Sequence, residues 1–310
     1  MNDSTFETTL AGQAYLRKIA GDAGALALAP ASTALRLRNT AASSATVVAA
    51  LSTLDLAPDL EVGQTLGEGG MGVVSLARQR SLDRAVAIKG LRPDSATAES
   101  EAALIDEGRV TGSLEHPNIV PVHALGRGPE GGPVIVMKRI EGVSWQALLG
   151  QPAHPLWARL EARTGDRLAA QVETLVAVCD ALAFAHARGV VHRDIKPENV
   201  MLGEHGEVYL VDWGIAHRIG APPVAELVGT PAFLAPEMLD PDTGRIGPAT
   251  DVYLLGGVLY LLLTGRSPHG GGTLTEALGH ALLGAAPDFG DAQPRALVEL
   301  ARAAMSRDPA

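Results

Sequence analysis

Period-two alternation of apolar and polar residues is confined to one part of this chain, Leu60 to Ile140, and helical periodicity takes over beyond Gly142. Few folds accommodate that order. The first part predicts strands at Leu60–Leu66, Val73–Ala77, Arg84–Lys89, Ile119–Ala124 and Val134–Ile140, with one helix at about Ala96–Gly112. The second predicts a long helix at Leu168–Arg188, short strands at Val200–Leu202 and Val208–Val211, and helices at Asp251–Leu263, Thr273–Leu283 and Pro294–Ser306. A strand-rich unit followed by a helical one is an α+β, bilobal architecture. It gives a domain at 59–310, with a small β-rich N-lobe (59–142) carrying one main helix and a larger helical C-lobe (143–310).

Residues 1–58 differ in kind. Nearly half are Ala, Ser or Thr, and few large apolar groups are available to offset the entropy of ordering. They are expected to form a mobile or loosely helical leader, with short helices around Leu10–Ile19 and Thr33–Leu54. The net charge of −10 argues against a nucleic-acid module or a basic membrane-surface protein, since both need a positive field. The single cysteine, Cys179, excludes an intramolecular disulfide framework. It reads as a small core residue and suits a reducing, cytoplasmic compartment. The apolar run Val252–Leu263, broken by Gly256 and Gly257, is shorter than the roughly 20 residues a membrane span needs, so no span is expected.

Four motifs carry chemistry. Gly67-Glu-Gly69-Gly70-Met-Gly72 lies between two strands, where glycines let backbone N–H groups approach phosphate oxygens. Lys89 ends the apolar strand Val86-Ala87-Ile88, and a lysine there needs an anionic partner; Glu107, on the following helix, can supply it. His192-Arg-Asp194-Ile-Lys196-Pro-Glu-Asn199 puts a carboxylate, an ammonium and an amide oxygen in one short loop. Such a set can orient a hydroxyl and accept its proton, neutralise a moving phosphoryl group and ligate Mg²⁺ through oxygen. Asp212-Trp213-Gly214 puts a second carboxylate at a strand end. Gly229-Thr230-Pro-Ala-Phe-Leu-Ala-Pro-Glu237 follows as a turn-rich platform for an extended peptide.

In this order and at this spacing, the motifs resemble the eukaryotic-like protein kinase family, in its bacterial serine/threonine branch, over about Leu60 to Ala310. The resemblance implies a protein-kinase-like fold and ATP-dependent transfer to Ser/Thr hydroxyls of a protein substrate, with ATP and Mg²⁺ as cofactors. It implies Asp194 as catalytic base, Lys196 on the γ-phosphoryl group, and Asn199 and Asp212 on Mg²⁺. Lys89 would hold the α/β-phosphates and pair with Glu107, which is chosen over Glu99 and Glu101 by counting back from His116-Pro-Asn-Ile-Val120. The glycines Gly67, Gly69, Gly70 and Gly72 would form the phosphate flap. Leu66, Val74 and Ala87 would roof the adenine and Met201 floor it. Met137 would be the gatekeeper, and the backbone of Lys138 to Ile140 the hinge. Asp251 would brace the catalytic loop, and Thr230 would touch Asp194 and Lys196.

Three departures stand out. Trp213 replaces the family's usual Phe. Between Gly214 and Gly229 there is no Ser, Thr or Tyr, so the phosphorylation that orders this segment in many kinases has no acceptor; Glu226 is expected to pair with Arg193 in its place. The chain ends at Ala310, before the arginine that usually partners the Ala-Pro-Glu glutamate, here Glu237, which gives the look of a truncated end. The alternative reading is a pseudokinase scaffold that binds nucleotide or partner without transfer.

Overall fold

In the computed structural model, the residues described are 10, 13, 14, 16, 17, 35–38, 54–69, 72–221, 226–239, 246–270, 272–284 and 288–306. The elements begin with strand β1 (Leu35–Arg38), then β2 (Leu60–Glu68), β3 (Val73–Gln79) and β4 (Arg84–Gly90). Helix α1 (Ala98–Gly112) precedes β5 (Val122–Arg127), β6 (Pro133–Lys138) and β7 (Gly142–Ser144). Helices α2 (Trp145–Leu149), α3 (Pro155–Thr164) and α4 (Arg167–Ala187) follow. Short strands β8 (Val190–Val191), β9 (Val200–Gly203), β10 (Val208–Leu210), β11 (His217–Arg218) and β12 (Glu226–Gly229) lead to α5 (Pro248–Thr264), α6 (Leu274–Leu283) and α7 (Arg295–Ala304). The class is α+β, strand-rich first and helical afterwards, as expected.

By contacts the chain divides into two compact units, each drawn from separated stretches: Ala41–Leu160 with Glu198–Ala216, and Met1–Thr40 with Glu161–Pro197 and His217–Ala310. The change from strand to helix near 142 is a change of pattern along the chain; the units cut elsewhere because β7 pairs with β9.

The first unit, the β unit, contains an antiparallel sheet in the order β2-β3-β4-β6-β5 and a smaller one, β10-β9-β7. Alternation sorts the larger sheet into two faces. One carries the buried cluster Leu60, Ala77, Val86, Ile88, Val134 and Val136, with Leu56 packed against it. The other carries Lys89, and α1 packs on β5 and β6. Helix α1 starts at a capping box in which Thr97 and Ser100 each bond the other's backbone N–H. Leu54 to Leu56 belong to this unit. The Leu56 N–H donates to Arg127 O and the Arg127 N–H to Leu54 O, both at 2.9 Å. The close approach needs Gly126, whose Cβ would lie 2.5 Å from Leu54 O. Strand β5 begins three residues later than expected. Ile119 is held in a turn by its N–H to His116 O, and Pro121 has no N–H to enter a ladder.

In the second, helical unit, α4 starts at Asp166, whose side chain accepts from the Ala169 N–H. It is long and apolar enough to cross a membrane by length and composition. Its buried residues Ala170, Thr174, Leu175, Val178, Ala181, Leu182 and Ala185 form a stripe at helical spacing, and it packs against α5 and β8. That is the pattern of a core helix. Cys179 falls one residue off the stripe and is exposed, so the core position expected for it is corrected. A second correction concerns the leader. Leu10, Gln13, Ala14, Leu16 and Arg17 are helical, but Leu35–Arg38, inside a stretch expected to be helical, is a strand. It pairs antiparallel with β12, and this long-range ladder overrides weak local propensity.

The stripe generates a stability prediction. Leu182→Ala lowers the unfolding free energy in urea by about 3 kcal/mol, whereas Val176→Ala, on the exposed side of the same helix, changes it by less than about 0.5 kcal/mol. Equal costs at the two positions would mean that the helix does not bury this face.

Candidate active site

The β unit assembles the first group. The glycine-rich turn joins β2 to β3, with the Gly69 N–H donating to Gly72 O at 2.9 Å; Gly70 lies outside the described residues. The glycines serve different ends. A Cβ on Gly72 would sit 2.3 Å from Gly90 O, whereas Cβ atoms on Gly67 and Gly69 would meet nothing within 4 Å. Gly72 is therefore required by the fold, and Gly67 and Gly69 face open space.

Lys89 stands opposite Val74 and Ile135 in the sheet, and Ala87 opposite Met137. Cross-strand partners share a face, so Val74, Ala87, Lys89 and Met137 lie together. Ala87 is buried, Val74 and Met137 half-buried and Leu66 exposed. The Lys89 ammonium donates to Glu107 Oε1 at 2.6 Å and to Asp212 Oδ1 at 2.9 Å. Burial pulls its pKa down, and the Glu107 and Asp212 carboxylates outweigh that and raise it above the ordinary lysine value. Lys138 donates its N–H to Pro121 O and its ammonium to the Tyr209 hydroxyl; Ile140 is half-buried. A cavity of about 230 Å³ lined by Val62, Ser75, Ile88, Leu91 and Val134 opens on the opposite face of the sheet and does not touch Lys89.

Hairpin β9–β10 brings Asn199 and Asp212 to one end. Leu210 pairs with Val200, and the Val211 N–H donates to Asn199 O at 2.9 Å. Asp212 follows with φ +64°, a left-handed backbone uncommon outside glycine. Trp213 is buried. Met201 sits on β9 opposite Tyr209 and Ser144. Among the described residues no three His, Cys, Asp or Glu side chains cluster as a metal site. The pair Asn199 and Asp212 supplies two hard oxygen donors, the ligand type that would suit a Mg²⁺.

The helical unit assembles the second group. Asp251, fully buried, accepts from the His192 and Arg193 N–H groups at 2.8 Å each and pairs with His186 Nε2 at 2.7 Å. Arg193 is held at φ +72°. Next to it Thr230 Oγ1 donates to Asp194 Oδ1 at 2.9 Å and accepts from the Lys196 ammonium at 2.6 Å. Lys196 also pairs with Asp194 Oδ2 at 2.9 Å. All three are buried. The expectation for Glu226 falls on a side chain outside the described residues.

Residues 60–285 match the family described as the protein kinase domain. The chain belongs to the protein kinase family. Its relatives include the serine/threonine-protein kinase PknD of Protochlamydia amoebophila, 32% identical over 70% of this chain and 24% of that protein. PknB of Mycolicibacterium smegmatis is 36% identical over 67% of this chain and 33% of its own length. PknB of Mycobacterium tuberculosis is 36% identical over 68% and 33%. The kinase chain thus spans a third or less of the curated relatives it matches.

Two histidines of this kinase carry contacts that the sequence did not single out. His186 reaches Asp251. His269 donates its N–H to Ala232 O at 3.1 Å, and its Nε2 lies 2.9 Å from Leu234 O and 3.3 Å from the Tyr253 hydroxyl. It therefore props the Gly229–Glu237 platform. Nothing in the local pattern around Pro268-His269 marks this, because Tyr253 lies 16 residues away and Leu234 35.

Two predictions follow from this geometry. Gly72→Ala lowers the melting temperature while Gly69→Ala leaves it unchanged, as read by calorimetry. Burial, with the nearby His280, pushes the His269 pKa down to about 4 despite the Leu234 carbonyl. The unfolded chain then binds a proton that the folded chain does not between about pH 6.5 and 4. Stability falls as the pH drops through that window, and His269→Phe flattens this part of the profile; an unchanged slope would clear His269 of the effect.

Proposed function

We propose that this domain is an ATP-dependent serine/threonine protein kinase that transfers the γ-phosphoryl group of ATP to a protein hydroxyl. The observation that carries the reading is the three-way contact of Asp194, Thr230 and Lys196. A hydroxyl already lies between a carboxylate that can take a proton and an ammonium that can stabilise a transferred anion. This is the arrangement that in-line transfer to an acceptor hydroxyl requires.

In this reading Asp194 orients the acceptor hydroxyl and accepts its proton as the O–P bond forms and the bond to the β–γ bridging oxygen breaks. Lys196 offsets charge on the transferred oxygens, and ADP leaves. Lys89, fixed by Glu107, holds the α/β-phosphates. The flap of Gly67, Gly69, Gly70 and Gly72 presents backbone N–H groups to them. Leu66, Val74 and Ala87 on one side and Met201 on the other hold the adenine. Met137 is the gatekeeper, and the Lys138–Ile140 backbone reads the base edge; since the Lys138 N–H already serves Pro121, its carbonyl is the group offered. Asn199 and Asp212 would hold Mg²⁺, which neutralises phosphate charge when bound. The platform around Thr230 carries the substrate peptide, and the compartment is the cytoplasm. The bacterial relatives named serine/threonine kinases support this assignment.

Incubation with labelled ATP, Mg²⁺ and a generic protein acceptor tests it. Label is expected on serine or threonine, and Asp194→Asn reduces the rate by about 10²–10⁴-fold. Thr230→Ser retains transfer and Thr230→Ala loses most of it, with nucleotide affinity unchanged in both. Nucleotide binding with no transfer by the unaltered chain would establish the scaffold alternative instead.

A further inference from the structure

The β1–β12 ladder joins two segments that neither local pattern nor the proposed chemistry explains. Leu35 pairs with Gly229, Arg36 with Val228, Leu37 with Leu227 and Arg38 with Glu226, in antiparallel register. These two strands make a sheet of their own. The ladder ends at Gly229, whose φ of +122° only glycine adopts without strain. A Cβ there would also crowd Leu234 and Met238 at 2.9 and 3.0 Å. The next residue is Thr230, which bridges Asp194 and Lys196. The leader strand therefore pairs, through its backbone, one residue from the group that completes the Asp194 site. Residues 214–229, which include β12, offer no hydroxyl to modify.

We propose that Leu35–Arg38 is a built-in strand ligand for the β12 edge, and that its pairing holds Thr230 against Asp194 and Lys196, supplying the order that a phosphoryl group on 214–229 would otherwise supply. The proposal rests on the kinase reading for its effect on rate. The interaction is strand addition, in which main-chain hydrogen bonds provide the affinity. A lone two-stranded pair is only marginally stable in water, so the strand can detach, and its pairing state sets the fraction of chains with an assembled site. Its contribution is activating, because Asp194, Thr230 and Lys196 are in mutual contact while the strand is paired.

The full chain carrying Arg36→Pro or Leu37→Pro provides the test. Neighbouring strand residues direct their N–H groups to opposite sides, so one of the two prolines removes a ladder bond. That variant is expected to lose about tenfold in kcat, equivalent to ~1.4 kcal/mol, with KM for ATP unchanged. Adding a peptide of residues 31–42 is expected to restore the rate. Hydrogen exchange on the same proteins should show the alternate amides of 226–229 that face β1 protected in the unaltered chain, independent of protein concentration, and released by the proline. Unprotected amides, or a kcat that both prolines leave unchanged or raise, would overturn the proposal. Protection that grows with concentration would overturn it too, by assigning the strand to a second copy. If the unaltered chain transfers no phosphoryl group, the kinase reading fails while the exchange data still decide whether the strand pairs as described.

Discussion

A carboxylate with no solvent exposure is among the costliest groups a fold can contain, and Asp251 is one. Three donors offset the cost: the His192 and Arg193 amides and His186 Nε2. The consequence is geometric. With both amides fixed on one carboxylate, Arg193 is kept in a left-handed conformation that by itself costs on the order of 1–3 kcal/mol. That bend sets the direction of the chain into Asp194 and Lys196. The Asp194 N–H bonds back to His192 Nδ1 at 3.2 Å, so His192 braces the turn from within. Removing Asp251 would leave two buried amides unpaired and release the bend together, which is why the loop and helix α5 have to be regarded as one unit.

Much of this was legible because the informative residues lie close together in the chain. The strands from Leu60 to Lys138 announce themselves by alternation, and the loop from His192 to Asn199 by composition. Lys89 demanded a carboxylate on energetic grounds, and among the acids of the following helix the family resemblance pointed to Glu107. What escaped was decided by distant partners. Strand β1 is four residues of a leader poor in large apolar groups, and only the register with β12 makes it a strand. The burial of His269 depends on Ala232, Leu234 and Tyr253, and the pairing of His186 on a residue 65 positions away. Cys179 was misjudged because composition assigns cysteine to cores, whereas its place on α4 is a matter of helical phase.

The sheet of the β unit shows how a small structure separates stability from chemistry. Val86, Ala87, Ile88 and Lys89 are consecutive, yet alternation sends Val86 and Ile88 into the apolar cluster and Ala87 and Lys89 to the other face. The glycines divide in the same way. Gly72 and Gly126 are demanded by backbone that passes within 2.5 Å of where a side chain would begin, while a Cβ on Gly67 or Gly69 would meet nothing within 4 Å among the described residues.

The same logic of unequal constraint applies to the ion pairs of Lys89. Its two carboxylates stand at similar distances, but Glu107 is 5% exposed and Asp212 45%. The pair with Glu107 is shielded, and losing one partner there strands a buried charge, a penalty of several kcal/mol. The pair with Asp212 is screened by water, and exposed pairs contribute about 1 kcal/mol or less. Lys89 is therefore anchored by one acid and only loosely held by the other. The two pairs thus differ in what breaking them costs, the buried one with Glu107 far more than the exposed one with Asp212.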